Sequence, residues 1–326
     1  MRHITYSILT ILAMLSVMTS NAQASPTPQK QDTPAKITLM LEWFVNPDHG
    51  PIIIAQQKGF FAEENLAVTI QEPAEPSLPI KLLAAGEVDM AVIYSEQLVK
   101  SSLNQLPVRW AGTLIETPLN CLIVLEGGPI RTLKDLKGKS IGVSLSSGYE
   151  KQLLDVMLAS SGLSSKDVNV INVGWALTGS LLSKRVDAIL DGYRNFELNQ
   201  LALEGAKGKA FYVEEFGVPP YSELLFAANS EKTDNAMIRR FLRAIEKSSQ
   251  YIINHPEEAW KVFAAYSPGG LDTPLNKMAW KDTVNRFALR PAAIDRQRFK
   301  NYATYLQQVG AIKKLPNLNT MLAPID

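Results

Sequence analysis

The chain is predicted to fold as an α/β protein with two lobes and a ligand cleft between them. Three observations predict this. Short apolar runs alternate with helical stretches, which is the β-α-β pattern of parallel sheets. Beyond about Leu225 the alternation gives way to helices with little strand between them. Two proline-bearing connections, Glu116 to Asn120 and Gly217 to Tyr221, each lie between strand signals on either side of about one hundred residues. Such a pair reads as one lobe inserted into another, joined by the crossing segments that act as the hinge of closing proteins. The alternative is two ordinary proline-containing loops.

The expected strands are Ile37 to Trp43, Asp89 to Tyr94, Trp110 to Ile115, Cys121 to Leu125, Ser140 to Ser144, Val168 to Val173 and Ala188 to Gly192. Helices are expected to start near Pro51, Ser77, Tyr149, Leu177 and Asn195. The helical block comprises Met237 to Ile253, Pro256 to Tyr266, Leu275 to Phe287 and Asp295 to Val309. His255-Pro256 breaks it, because the residue before a proline disfavours helix. Lobe I is thus expected over 36–117 and 222–326, and lobe II over 118–221.

The first residues carry Arg2 and then an uncharged apolar run from Ile4 to Met18, ahead of Ala22-Gln23-Ala24. This predicts a signal peptide over 1–24, with Ser25 as the first mature residue and a periplasmic product. The apolar run is too short to span a bilayer comfortably. The cleavage site has no Cys, so no lipid anchor is expected there. Residues 25–35, with three prolines, read as a flexible tether. The single Cys, Cys121, has no partner for an internal disulfide and lies in an apolar run, so a packed free thiol is expected. The core must then carry the stability, and roughly 300 residues suffice for two lobes. Net charge is +1 with both signs mixed, which argues against nucleic acid and polyanionic substrates. Three His and one Cys, none closely spaced, leave no zinc site.

Three strand-to-helix turns carry the candidate chemistry. Ligands of open α/β sheets sit beyond the carboxyl ends of strands, near helix N-termini. After the first strand, Trp43, Asn46, Asp48 and His49 are placed to stack and hydrogen-bond a small polar ring, and Pro51 opens the helix at no cost in hydrogen bonding. A plain turn with a solvated His is the competing description. Ser144-Leu145-Ser146-Ser147-Gly148-Tyr149-Glu150 offers backbone N–H groups at a helix start, or is a routine turn; it matches no phosphate-binding fingerprint. In Asp191 to Leu198, Glu197 falls in a first helical turn, where the dipole favours a carboxylate. It is a capping acid or an acceptor for a ligand amino group, with Tyr193 adding a ring. Trp175 is a second possible stacking face, or lobe core. No nucleophile elbow or recognisable acidic pair is present, and His49 has no assignable partner.

Trp43-Phe44-Val45-Asn46-Pro47-Asp48-His49-Gly50-Pro51, Ala55 to Phe61, Leu82 to Ala91, Asp135 to Gly142 and Tyr193 to Gln200 together resemble the thiamine-pyrimidine family of periplasmic binding proteins. The match runs through nearly all of 36–326. The Leu82 to Ala91 and Asp135 to Gly142 segments are shared with many solute receptors; the Trp43 to His49 loop and the Arg194 to Gln200 run are more specific. The resemblance implies a type II binding-protein fold, an ABC importer with an inner-membrane permease as partner, action as a monomer, and no cofactor. The implied ligand is a 4-aminopyrimidine salvaged from degraded thiamine, such as the formylaminomethyl derivative or hydroxymethylpyrimidine. By position it implies Trp43, Asn46, His49, Tyr94, Asn120, Glu150, Tyr193 and Glu197 as site residues. Trp43 or Tyr193 would stack on the ring, Glu197 would accept from the exocyclic amine, and Asn46, Asn120 or His49 would donate to ring nitrogens. Riboflavin or a sulfonate is the alternative ligand. The related pyrimidine synthase of thiamine biosynthesis needs a lysine and a histidine just after the segment matching Val88-Asp89-Met90. Ala91 to Gln97 here contains neither, and no cysteine cluster occurs near Pro219 to Leu225, so an enzyme is not expected.

Overall fold

The computed structural model describes residues 33–75, 77–144, 149–267 and 269–324. The expected signal peptide and most of the tether lie outside the described residues, as do Leu145 to Gly148 of the serine-rich turn. Met1–Thr33 separates as a unit of its own, and the architecture that follows is that of Pro34 onward.

Among the described residues the strands form two five-stranded sheets of the same design. The first is ordered β2 (Leu66–Gln71), β1 (Ala35–Met40), β3 (Met90–Tyr94), β10 (Leu224–Asn229), β4 (Val108–Ile115). The second is ordered β7 (Asn169–Asn172), β6 (Ser140–Val143), β8 (Ala188–Tyr193), β5 (Asn120–Leu125), β9 (Gly208–Tyr212). In each, three neighbouring strands run parallel and the fourth is antiparallel to its neighbours. The chain crosses from the first sheet to the second between β4 and β5, and returns between β9 and β10. The proline-bearing connections found in the sequence are these two crossings.

The apolar runs are continuous because the central strands are covered on both faces, as parallel sheets require. Successive residues point to opposite faces. Leu224, Phe226 and Ala228 of β10 enter one core with Met90 and Val92 of β3, beneath α1 (Gly50–Gln57), α2 (Phe60–Glu63), α8 (Asn235–Asn254) and α9 (Pro256–Ala264). Leu225, Ala227, Ala91 and Ile93 enter a second core, with Leu98 of α4 (Ser95–Leu103) and Phe299 and Tyr302 of α11 (Arg296–Gln308). That second core continues without a break into Leu122, Val124, Ala188 and Leu190 of the other sheet. The far face of the second sheet has its own cluster, which includes Cys121, Ile123 and Ile189. Cys121 is a buried free thiol, and burial pushes its pKa up.

Most expected elements are present, with adjusted ends. β1 stops at Met40 and does not reach Trp43. The backbone leaves the ladder after Leu41, and Val45 N–H is held by Glu72 Oε1 at 2.7 Å. The expected Leu275 to Phe287 helix is α10 (Pro274–Thr283) followed by one 3-10 turn. Ala35, expected to close the tether, already pairs with Leu66. The expected strands did not include β2, β9 or β10, and the expected helices did not include α2, α4 or α12. The remaining helices are α3 (Leu78–Ala85), α5 (Glu150–Ala159), α6 (Leu177–Leu182), α7 (Glu197–Leu203) and α12 (Leu318–Met321). No described helix is long and apolar enough to cross a membrane.

Candidate ligand-binding site

A cleft of about 670 Å³, its open mouth included, lies where the carboxyl ends of strands from both sheets converge. That size suits a small ring compound. The segment after β1 brings Glu42, Trp43, Asn46 and Asp48, and the β3–α4 junction brings Tyr94 and Glu96. The second sheet brings Asn120, Ser144, Asp191, Tyr193, Phe196 and Glu197, and the return crossing brings Tyr221 and Glu223. Tyr149, Leu153, Leu177 and Tyr302 complete the lining.

Of the residues expected at the site, Trp43, Asn46, Tyr94, Asn120, Tyr193 and Glu197 line this cleft, whereas His49 and Glu150 do not. His49 was expected to donate to a ligand, but it is fully buried and both its ring nitrogens are engaged inside the protein. Nε2 lies 3.0 Å from Glu42 Oε2, and Nδ1 accepts from Asn46 N–H at 3.1 Å. Asn46 Oδ1 in turn accepts from Asp48 N–H at 2.8 Å. Asn-Pro-Asp-His is therefore a capping box on the 3-10 turn Pro47–His49, with His49 in the role usually taken by Glu or Gln. The imidazole reaches the ligand space through Glu42 and Asn46, which do line it. Glu150 opens α5 and is buried, and its charge helps to raise Asp191 and Glu96. Trp175 also stays out of the lining. It meets Trp43 edge-on, ring centroids 3.9 Å apart, and lies against Phe44.

Glu197 is the first residue of α7, and its Oε2 accepts from Tyr193 N–H at 2.6 Å. Asn195 does not open that helix, because its side chain donates to Asp48 Oδ1 and Thr283 Oγ1, each at 2.6 Å. Asp191 adopts a left-handed backbone, φ 66°, which is unusual away from glycine. Cys121 pairs with Gly192 and Ile123 with Ile189, so Leu190 and Asp191 face Leu122 alone in a bulge. The bulge aims the Asp191 carboxyl at the cleft, where it accepts from Asn120 Nδ2 at 3.2 Å and from Ser144 N–H at 3.1 Å.

The lining holds six carboxyl side chains and, among the described residues, no Lys or Arg. Burial raises the pKa of Asp48 to about 6, with a further push from Glu42 and opposition from His49. Burial raises Glu197 and Asp191 to about 7, the latter helped by the Glu150 charge. Burial lifts Glu96 to about 8, with the Glu223 charge adding to it, and Glu223 itself is raised by burial. For His49, burial acts downward, but the Glu42 charge and hydrogen bond outweigh it and the group ends above its ordinary value. Such a lining, with Trp43 and several tyrosines, suits a flat ligand rich in hydrogen-bond donors and opposes an anion.

Glu42, Glu96, Asp191, Glu223 and Tyr302 were not among the expected site residues. Glu42 and Asp191 sit at strand ends, the position that pointed to Trp43 and Tyr193, and could have been found by that rule. Glu96 lies in a helix that was not expected and Tyr302 in one expected only as part of the C-terminal helical block, and no local pattern marks them.

The architecture is that of a two-lobed type II periplasmic binding protein. It superposes with a TM-score of 0.70 on the aliphatic sulphonate binding protein SsuA of Escherichia coli, at 13% identity, over 89% of this chain and 98% of that one. The chain belongs to the family described as NMT1/THI5 like, whose pattern matches residues 46–259. It is 50% identical, over 89% of its length and 92% of the relative's, to a Haemophilus influenzae protein named as a thiamine biosynthesis protein. It is 29% identical to a formylaminopyrimidine-binding protein of Halalkalibacterium halodurans, over 78% and 76% of the two chains. It is also 28% identical to a 4-amino-5-hydroxymethyl-2-methylpyrimidine phosphate synthase of Legionella pneumophila, over 80% and 83%. Fold and relatives support a solute-binding role.

The raised carboxyls have a consequence for stability. Each holds its proton to higher pH in the folded than in the unfolded chain, so the stability it contributes is full below the ordinary carboxyl range and is lost as pH rises through its folded value. His49, also raised, acts with the same sign. The ligand-free protein is therefore expected to unfold at progressively lower temperature between pH 5 and pH 8, the window set by groups at about 6, 7 and 8. Thermal unfolding followed by circular dichroism checks this, and a midpoint that rises across that window would contradict it.

Proposed function

We propose that this chain is an exported binding protein that captures a thiamine-derived 4-aminopyrimidine, formylaminopyrimidine or hydroxymethylpyrimidine, and delivers it to an ABC permease in the inner membrane. The observation that carries the reading is a cleft with aromatic faces and six carboxyls but no Lys or Arg among its described lining. A sulfonate or phosphate group would find no charged donor there. An aminopyrimidine instead offers an amine to Glu197, ring nitrogens to the Asn46 and Asn120 amides, and a face to Trp43 or Tyr193. The name of the Halalkalibacterium halodurans relative supports the same ligand class. The synthase names carried by other relatives favour it less, because that chemistry needs a lysine at the site and the described lining has none.

In this reading, 36–117 with 222–326 and the inserted 118–221 act as two lobes that close on the ligand about the paired crossings. Saturating pyrimidine is expected to reduce the radius of gyration in small-angle scattering, and an unchanged curve would count against closure. Export implies that the protein recovered from the periplasm begins at Ser25, and N-terminal sequencing that returned Met1 would contradict it.

Calorimetric titration with hydroxymethylpyrimidine, the formylaminopyrimidine, thiamine, riboflavin and taurine tests the ligand. Glu197→Gln is expected to weaken pyrimidine binding by about 1.5–3 kcal/mol, the contribution of a hydrogen bond to a charged group. Trp43→Ala is expected to remove roughly 0.5–1.5 kcal/mol beyond the loss of contact area. Binding of riboflavin or taurine alone would reject the ligand, and unchanged affinity in both variants would relocate the site.

A further inference from the structure

Glu96 is the least explained charged side chain of the cleft. It is only 4% exposed, yet its Oε1 has no hydrogen-bond partner among the described residues. Beyond its own backbone N–H, the carboxyl meets the distant Tyr302 hydroxyl, which lies 3.5 Å from Oε2. An unpartnered buried acceptor is costly, and native proteins rarely keep one without a use. Glu96 lines the cleft at its enclosed end. Tyr302, Tyr221 and Tyr149 beside it are nearly fully buried, whereas Trp43, Asn120 and Tyr193 at the other end retain partial exposure. Tyr221 and Tyr302 stack with ring centroids 4.8 Å apart, and Tyr149 is hydrogen-bonded to Tyr305, so this end is walled by rigid aromatic faces.

The two ends of the cleft thus have different chemistry. The outer end has the Trp43 face, two amides and Glu197, which is what a flat ring needs. The inner end has the Glu96 carboxyl, with one oxygen left without a partner among the described residues, set among tyrosines, of which Tyr221 is engaged with Glu223. We infer that Glu96 is a second ligand-binding residue, which takes the hydrogen-bonding group at the end of a side arm carried by the ring. The inference rests on the pyrimidine reading of the cleft and deepens it, by specifying that the ligand bears an amide or hydroxyl arm. Burial favours the protonated form of Glu96, so the carboxyl presents one donor and one acceptor. A formamide arm, with its own N–H and C=O, matches both, and a hydroxymethyl arm matches one at a time. The selectivity of the protein among pyrimidines would then reside in Glu96, and the recognition of the ring in the outer residues.

The experiment compares three ligands that share the ring: the formylaminomethyl compound, hydroxymethylpyrimidine and 4-amino-2,5-dimethylpyrimidine, whose methyl group has no polar arm. Calorimetry on the native protein is expected to show the formylaminomethyl compound binding about tenfold or more tightly than the dimethyl compound. In Glu96→Leu, which is close in size and removes only the long contact of the Tyr302 hydroxyl, that preference should fall to within about threefold, with dimethylpyrimidine affinity nearly unchanged. Retention of the preference in folded Glu96→Leu, or an equal loss for all three ligands, would overturn the inference and leave the ring-binding site intact. Failure of the native protein to bind any of the three would overturn the proposed function, and this inference with it. A crystal structure of the native complex answers independently of the variant: the arm within hydrogen-bonding distance of Glu96 supports the inference, and an arm directed to the cleft mouth refutes it.

Discussion

The carboxylate of Glu223 holds the two halves of the molecule in register. Its Oε2 accepts from Leu119 N–H at 2.6 Å, from Asn120 N–H at 3.1 Å and from the Tyr221 hydroxyl at 3.0 Å. Leu119 closes the outward crossing, and Tyr221 and Glu223 belong to the return. One buried side chain therefore clasps both crossings where they pass. Without it, two backbone N–H groups would lose their partner, at about 1–3 kcal/mol for each one left buried. The same carboxylate lines the cleft, with Oε1 3.5 Å from the Tyr193 hydroxyl. The paired crossings and the lining of the cleft are thus joined in one residue.

A second clasp begins at Asp48, whose Oδ1 receives Asn195 Nδ2 at 2.6 Å and the Thr283 hydroxyl at 3.2 Å. These residues come from the turn after β1, the turn after β8 and the end of α10. A local device, the Asn46–His49 capping box, fixes the turn that presents Asp48 to this long-range contact. The polar residues of this turn mostly serve its geometry, and the ligand space receives Glu42, Trp43, Asn46 and Asp48 as a result.

The sequence revealed the parts of this design that rest on local physics. Periodicity and apolar runs located β1, β3, β4, β5, β6, β7 and β8, and helical patterning located the C-terminal block. Glu197 was legible because a carboxylate in a first turn has a physical reason to be there. β2 was passed over although Leu66, Val68 and Ile70 alternate as in a strand with one covered face; it lies at the sheet edge, and only Leu66 and Val68 in it are buried. α4 was missed because Ser-Glu-Gln-Leu-Val-Lys-Ser-Ser has few apolar residues and begins directly where β3 ends. His49 was assigned to the ligand, whereas its ring nitrogens are engaged by Glu42 and Asn46, and nothing in the spacing shows that Glu42 will fold back onto it. Glu96 and Tyr302, 206 residues apart, meet only in three dimensions.

The position of β10 also dictates an order of assembly. The second sheet is drawn from one continuous stretch, Asn120 to Tyr212, and a growing chain holds all of it before β10 exists. The first sheet cannot be completed at that stage, because β10 lies between β3 and β4 and pairs Leu224 with Tyr94 and with Ile115. Until Leu224–Asn229 emerges, β3 and β4 each present an unpaired edge, the kind of surface on which strands of other molecules add. Closing so long a loop is slow relative to local pairing. The inserted half is therefore able to fold while the half that encloses it waits, and the interval between the two is when a newly made molecule is most exposed to aggregation.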